Sequence, residues 1–361
     1  GSSCTQVAGT SGWMGASTTQ LFYPRAVAIT STGDYLVADA GNHRLQLCPA
    51  ASPGSDCTTV AGTGSAASAP TQLNGPKGVA VTTAGDYLVV EQYNHRLQLC
   101  PAASPGSLCT AVAGTGSSGS GHAQLNRPAD VAVTAGDYLV ADADNHRIQL
   151  CPAASPGSPC TTVAGTGGLG SGLTELNTPS GVTVNNDGDY LVVDMRNHRI
   201  QLCPAASPGS PCTTVAGVAS YPGSTSTRFK KPHSVAITST GDYLVSDSYN
   251  QRMQLCPAAS PGAACSTVAG ITNYMGNFLG MFNQPVQAAI TSTGDYVVAD
   301  YMNHRVQLCP AASPGSHCTS VAGNSGSGSG LAQLNFPAGV AITTTGASAG
   351  ATTATAGATA T

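Results

Sequence analysis

Apolar positions along this chain fall in short runs that return about every fifty residues. In the first unit the runs are Ala26-Val27-Ala28-Ile29, Tyr35-Leu36-Val37-Ala38, Leu45-Gln46-Leu47 and Thr58-Thr59-Val60-Ala61. Each is strand-length and bounded by Gly, Pro, Asn or Asp, the residues of turns. The first two are continuously apolar, which suits strands covered on both faces. The third alternates, which suits a strand nearer a rim. No stretch keeps a 3.6-residue period, so the pattern predicts almost no helix.

Polar positions repeat in step. Asn-His-Arg begins at Asn42, Asn94, Asn145, Asn197 and Asn303, and one copy reads Asn250-Gln251-Arg252. Gly-Asp-Tyr begins at Gly33, Gly85, Gly136, Gly188, Gly241 and Gly294. Six units of four short strands predict an all-β propeller, in which blades bury their faces on one another and ring closure removes long open edges. The expected blades span about 24–62, 76–114, 128–165, 179–217, 232–270 and 285–323.

The unit Pro-x-x-Val-Ala, then Gly-Asp-Tyr-Leu-Val-Ala-Asp, then Asn-His-Arg-Leu-Gln resembles the NHL repeat over residues 1–343. The resemblance implies a six-bladed propeller of a family that mostly binds proteins, RNA or small ligands, with a minority of enzymes such as amidating lyases. Two positions depart from the pattern: Gln251 replaces the His, and Glu91 replaces the Asp of Asp39 and its equivalents. Segments 4–9 and 337–342 match a fourth and a first strand, so the chain is expected to be cut from a longer array. The Ala/Thr/Gly tail, 344–361, has nothing to pack and is expected to be disordered.

The chain has 13 cysteines, and twelve form pairs of one spacing: Cys48 with Cys57, Cys100 with Cys109, Cys151 with Cys160, Cys203 with Cys212, Cys256 with Cys265 and Cys309 with Cys318. A hairpin sets such positions opposite each other, within disulfide reach. Free thiols and a metal are the alternatives; zinc needs four converging ligands, which six separate hairpins do not offer. Disulfides would imply an extracellular or secretory setting. Cys4 corresponds to the second member of a further pair.

A residue present in every blade meets six equivalent environments, whereas a catalytic site is needed once. The triplet His is therefore expected to be structural, with Arg and the blade Asp satisfying turn backbone and each other. Positions that break the repeat carry the functional information. Outside the repeat, the basic residues are Arg25, Lys77, Arg127, Arg196, Arg228, Lys230 and Lys231. All seven are expected on the face that holds the inter-blade loops. Asp130, Asp144 and Glu175 join them, leaving that face at +4 in a chain of net charge −4. Tyr93, Tyr249 and Tyr301, with Trp13 and all five Phe, are expected there too. Phe22, Phe229, Phe282 and Phe336 are read as loop anchors, in the place of Leu73, Leu125 or Leu176.

Arg25, Lys77, Arg127, Asp130, Arg196, His233, Tyr93, Tyr249 and Tyr301 are the candidate binding residues, since Arg and aromatic side chains mark binding surfaces. The expectation is a monomeric, non-enzymatic module that binds a protein, peptide or glycan, with anionic groups favoured and no cofactor. A metal-dependent lyase or lactonase of the channel is the alternative, and a structural spacer is a third. The alternative needs converging ligands, and only His233 and Asp130 stand near inner-strand entrances. No hydrolase, zincin or phosphate-loop motif is present. A nucleic-acid partner is disfavoured by the charge, and no apolar run is long enough to span a membrane.

Overall fold

The structure, a computed structural model, describes residues 17, 20–52, 55–278, 280–322, 334, 336–342 and 354–357. Blade one consists of β1 (Pro24–Ile29), β2 (Tyr35–Asp39), β3 (Arg44–Cys48) and β4 (Thr58–Ala61), hydrogen-bonded in chain order and antiparallel. The same sheet recurs five more times, ending with Thr319–Ala322. The fold is an all-β propeller of six four-stranded blades. Helix among the described residues is limited to single 3-10 turns such as Ala40–Asn42. None is long and apolar enough to cross a membrane.

The core is divided into layers between blades. β2 is buried along its whole length, as its continuously apolar sequence requires. Between blades two and three, Leu88, Val90 and Leu97 meet Val131, Tyr138 and Val140, and Leu125 from the connecting segment seals the layer. Leu73, Leu176, Phe229 and Phe282 do the same elsewhere, each at 1% exposure or less. Burying one such side chain contributes roughly 1.5–3 kcal/mol. The Phe residues at 229 and 282 are thus anchors, as expected.

β3 is more buried than its alternation suggests, and Gln46 is fully enclosed. The cause is the connecting segment ahead of each blade. Blades diverge outward, and the segment fills the wedge between them. Arg44 Nη2 holds it by donating to the carbonyls of Ser17 and Gln20, both at 2.7 Å. Ahead of blade three the segment reaches the far end of the blade, where the Cys160 N–H donates to the His122 carbonyl at 3.0 Å. The connecting residues therefore do not all share the mouth face. Trp13 lies outside the described residues.

Asp39 organises the top of blade one. Its Oδ2 accepts from Asn42 Nδ2 and Arg44 Nε, both at 2.8 Å, and its Oδ1 accepts the Phe22 N–H at 2.6 Å. Burial pushes this carboxyl up, while those hydrogen bonds and Arg44 pull it back down. Glu91 keeps the same set of partners in blade two: Asn94, Arg96 and the Asn74 N–H. At the other end, Asp34 Oδ1 accepts the Ala50 N–H at 3.0 Å and braces the cysteine loop. The turn before Asp34 needs Gly33, whose φ is +87°.

All six cysteine pairs are disulfides, Cys48–Cys57 through Cys309–Cys318. They fit an oxidising, extracellular or secreted setting. Cys100 and Cys109 also belong to the apolar layer between blades one and two.

The innermost strands are β1, Pro76–Val81, Asp130–Val133, Pro179–Val184, Val235–Ile237 and Pro285–Ile290, each packed on the next. A seventh strand, Gly339–Ile342, packs against both β1 and Pro285–Ile290 and completes the ring. Gln287 Oε1 accepts its Val340 N–H at 3.0 Å. Its sheet partner is Ala354–Gly357, the described part of the tail; the remainder of 344–361 and segment 4–9 lie outside the described residues. Six blades thus share a ring of seven inner positions.

Candidate active site at the channel mouth

Each inner strand begins at or just after a proline, and the residues that follow it differ from blade to blade. The first is Arg25, Lys77, Ala129, Ser180, His233 or Val286; the second includes Asp130 in blade three. At Arg25, Lys77, Ser180 and Val286 the register with the neighbouring strand slips by one residue. These are β-bulges, which re-aim side chains and gather beside active sites.

Four of the candidates meet here. Arg25 and His233 are exposed; Lys77 and Asp130 are half-buried. Asp130 Oδ2 accepts the Val182 N–H at 3.1 Å from the adjacent inner strand. Its carboxylate borders two glycines, at distances that an added Cβ would find ordinary contact. A Cβ on Gly78 would lie 3.4 Å from Oδ1, and one on Gly181 would lie 3.6 Å from Oδ2. Burial raises the Asp130 carboxyl, against hydrogen bonds from Val182 and Val131 and the charge of Lys77. Lys77 is lowered, first by burial and then by Arg25, with Asp130 opposing.

His233 is lowered to about 4. The protein packed around the channel is the main cause, although the imidazole itself is open to solvent, and the positive charges of Lys77 and Arg25 add to it; a backbone hydrogen bond with Val286 acts the other way. The His233 N–H donates to the Ser246 carbonyl at 3.0 Å. Ser180 Oγ donates to the His233 carbonyl at 3.2 Å, fixing the strand entrance from the neighbouring blade. The mouth therefore presents a neutral imidazole facing two cations, an arrangement suited to holding an anion and accepting a proton from it.

The other candidates have partners of their own, although Arg127 and Asp144 also act on Lys77. Arg127 sits over the Tyr93 ring, 5.8 Å from its centroid, and 3.9 Å from Asp144. Lys231 lies over Tyr249 at 4.8 Å. Tyr301 stacks on Phe336 at 5.1 Å and helps seal the seventh inner position. Arg196 is exposed on a 3-10 turn, with no ion pair among the described residues. Ser180 and the two glycines beside Asp130 were missed by sequence reasoning; nothing in their identity distinguishes them from the many other Ser and Gly of the chain.

The NHL-repeat family model matches residues 23–46, 125–149, 176–201, 229–254 and 282–307. The chain is an NHL-repeat β-propeller. A probable peptidyl-α-hydroxyglycine α-amidating lyase of Caenorhabditis elegans is 30% identical to this propeller over 145 residues, 40% of this chain and 39% of the worm protein. The chain thus matches well under two thirds of that relative's length. Among solved structures, the virginiamycin B lyase of Staphylococcus aureus has a TM-score of 0.64 at 10% identity, covering 90% of each chain. A gluconolactonase of Xanthomonas campestris has a TM-score of 0.52 at 13% identity, covering 78% of this chain and 84% of its own. These structural likenesses show the fold.

The expectation of a non-enzymatic module is corrected by the worm relative, whose name is that of a lyase and points to an enzyme. The triplet and charge arguments concerned residues that recur or lie on loops. A zinc for the alternative reading finds no ligand set among the described residues. A catalytic zinc needs three converging protein ligands, and among the described residues no three His, Cys, Asp or Glu side chains gather. Arg25 and Lys77 also place positive charge at the mouth.

Proposed function

We propose that the channel mouth is the active site of a lyase acting on a substrate that carries a carboxylate. The observation that carries this reading is the convergence of Arg25, Lys77 and His233, from three different blades, on one end of the channel. The lyase names of the relatives support the reaction class. Arg25 and Lys77 hold the carboxylate, and His233, neutral at physiological pH, takes the proton. A bound carboxylate offsets the two charges that hold His233 down, so the substrate itself raises the base toward its working range. Asp130, anchored by Val182, keeps Lys77 charged and in place.

On a peptide ending in α-hydroxyglycine, His233 removes the hydroxyl proton. The freed electron pair forms a carbonyl, the C–N bond breaks, and the departing amide nitrogen takes up a proton. The products are the peptide amide and glyoxylate, and no oxidant is consumed. The test supplies such a peptide and follows amide release. Turnover should exceed the spontaneous rate, and His233→Gln should reduce kcat by about 100-fold or more. Lys77→Met should raise KM more than it lowers kcat. Unchanged turnover in His233→Gln, or none in the unmodified protein, overturns the reading.

A further inference from the structure

The residue before each inner-strand proline has a positive φ: Tyr23, Gly75, Arg127, Thr178, Lys231, Gln284 and Phe336. For a β-branched or bulky residue this conformation is costly, and a following proline restricts it further. The structure shows what holds it. From Gly75 onward each of these N–H groups donates to a side chain of the preceding blade, 32 or 33 residues earlier. The acceptor is Nδ1 of His43 for Gly75 at 3.2 Å, of His95 for Arg127 at 3.0 Å and of His146 for Thr178 at 3.1 Å. It is Nδ1 of His198 for Lys231 at 3.0 Å and of His304 for Phe336 at 3.1 Å. At the sixth such junction Gln251 Oε1 accepts from Gln284 at 2.6 Å.

Two of these latches stand directly before mouth residues. Lys231 is followed by Pro232 and His233; Gly75 is followed by Pro76 and Lys77. We propose that His198 and His43 are positioning residues for His233 and Lys77, and that protonating them releases both strand entrances. An imidazole accepts at Nδ1 only while that nitrogen carries no proton. The mouth therefore loosens in acid, while the Gln251 junction stays closed. The groups facing the two histidines differ. Lys231 and Lys230 face His198 and disfavour its protonation, as burial does. Burial likewise disfavours it at His43, where Asp39 favours it. The latch itself stands independently of the lyase reading; only its catalytic consequence rests on it.

The chain supplies its own control, because Gln251 shows that a neutral amide fills the place of the histidine. The experiment compares hydrogen exchange at Lys231, as a protection factor, in the unmodified chain, His198→Gln and His198→Ala at pH 7.5 and 5. Protection should fall about tenfold in acid for the unmodified chain, the worth of one hydrogen bond. It should persist at both pH values in His198→Gln and be low at both in His198→Ala. Should His198→Ala not fold, the unmodified chain and His198→Gln decide alone. Equal pH dependence in those two overturns the proposal. With a turning-over substrate, His198→Gln should also move the acidic limb of the kcat profile to lower pH, the shares of His233 and His43 remaining. The expected exchange pattern with no turnover in any form upholds the latch and overturns the lyase reading.

Discussion

The Gly106 N–H donates to the Val60 carbonyl at 2.9 Å, so the disulfide loop of blade two hangs on the outermost strand of blade one. The bond recurs from Gly157 to Val112, Gly209 to Val163, Gly262 to Val215 and Gly315 to Val268. Each of these five disulfides thus closes its own hairpin and also shapes the loop that clasps the neighbouring blade.

Reduction should therefore loosen the ring as well as the hairpins. Closing a loop of this length is worth roughly 2.5–3 kcal/mol in the chain-entropy model. Intact mass after alkylation should show twelve of the 13 cysteines labelled only with reductant. The reduced protein should unfold at clearly lower denaturant concentration. Full labelling without reductant would contradict the pairing.

Phe282 is fully buried between blades five and six. Phe282→Ala should cost about 3–5 kcal/mol in denaturant unfolding, through lost burial and a cavity. Phe282→Leu should cost much less, since Leu73, Leu125 and Leu176 fill the same place elsewhere.

Asp247 pairs with Arg252 at 2.8 Å, with side chains 0% and 3% exposed. Asp247→Ala leaves a buried guanidinium without its carboxylate and should cost about 3–5 kcal/mol. The Lys230 N–H, which donates to Asp247 at 2.8 Å, loses its acceptor as well. Exchange protection at Lys230 should fall with the stability.

His43, His95 and His198 are all lowered in the folded chain, chiefly by burial. A group lowered on folding binds its proton more readily when unfolded. Stability is then complete above the ordinary imidazole value of about 6.5 and declines as pH falls below it. Unfolding midpoints at pH 7.5 and 5.5 should show the decline, and replacing the three residues by Gln should reduce it. The raised buried carboxyls act with the opposite sign, so the Gln variants isolate the histidine share.

Lys77→Met removes one of the two cations that depress His233. The His233 imidazole should then titrate above its value of about 4. Histidine NMR signals followed against pH read this directly; an unmoved His233 would mean that the two groups do not sense each other.

The repeat, the strand count per blade and the cysteine pairing were legible in the sequence because each rests on local spacing seen six times. Asp130 and His233 were legible as breaks in the repeat, together with Arg25 and Lys77. Their assembly was not, because it depends on ring closure between residues more than 150 positions apart, Lys77 and His233 among them. The structural role of the triplet His was foreseen, but not its partner, a backbone N–H of the next blade. The loops were read as mouth-facing; the bond from Cys160 to the His122 carbonyl shows that a connecting segment can run the length of a blade.

The count of inner positions has a consequence for symmetry. A circle divided into an odd number of sectors has no diametrically opposed pairs; each sector looks across at a boundary. Numbered from β1, the fifth sector faces the boundary between the first and the second. That sector carries His233, and the boundary is flanked by Arg25 and Lys77. An even ring would set one blade squarely against another and give the imidazole a single counterpart. With seven places, one residue addresses two at once, and a small anion can be gripped from both sides of a seam.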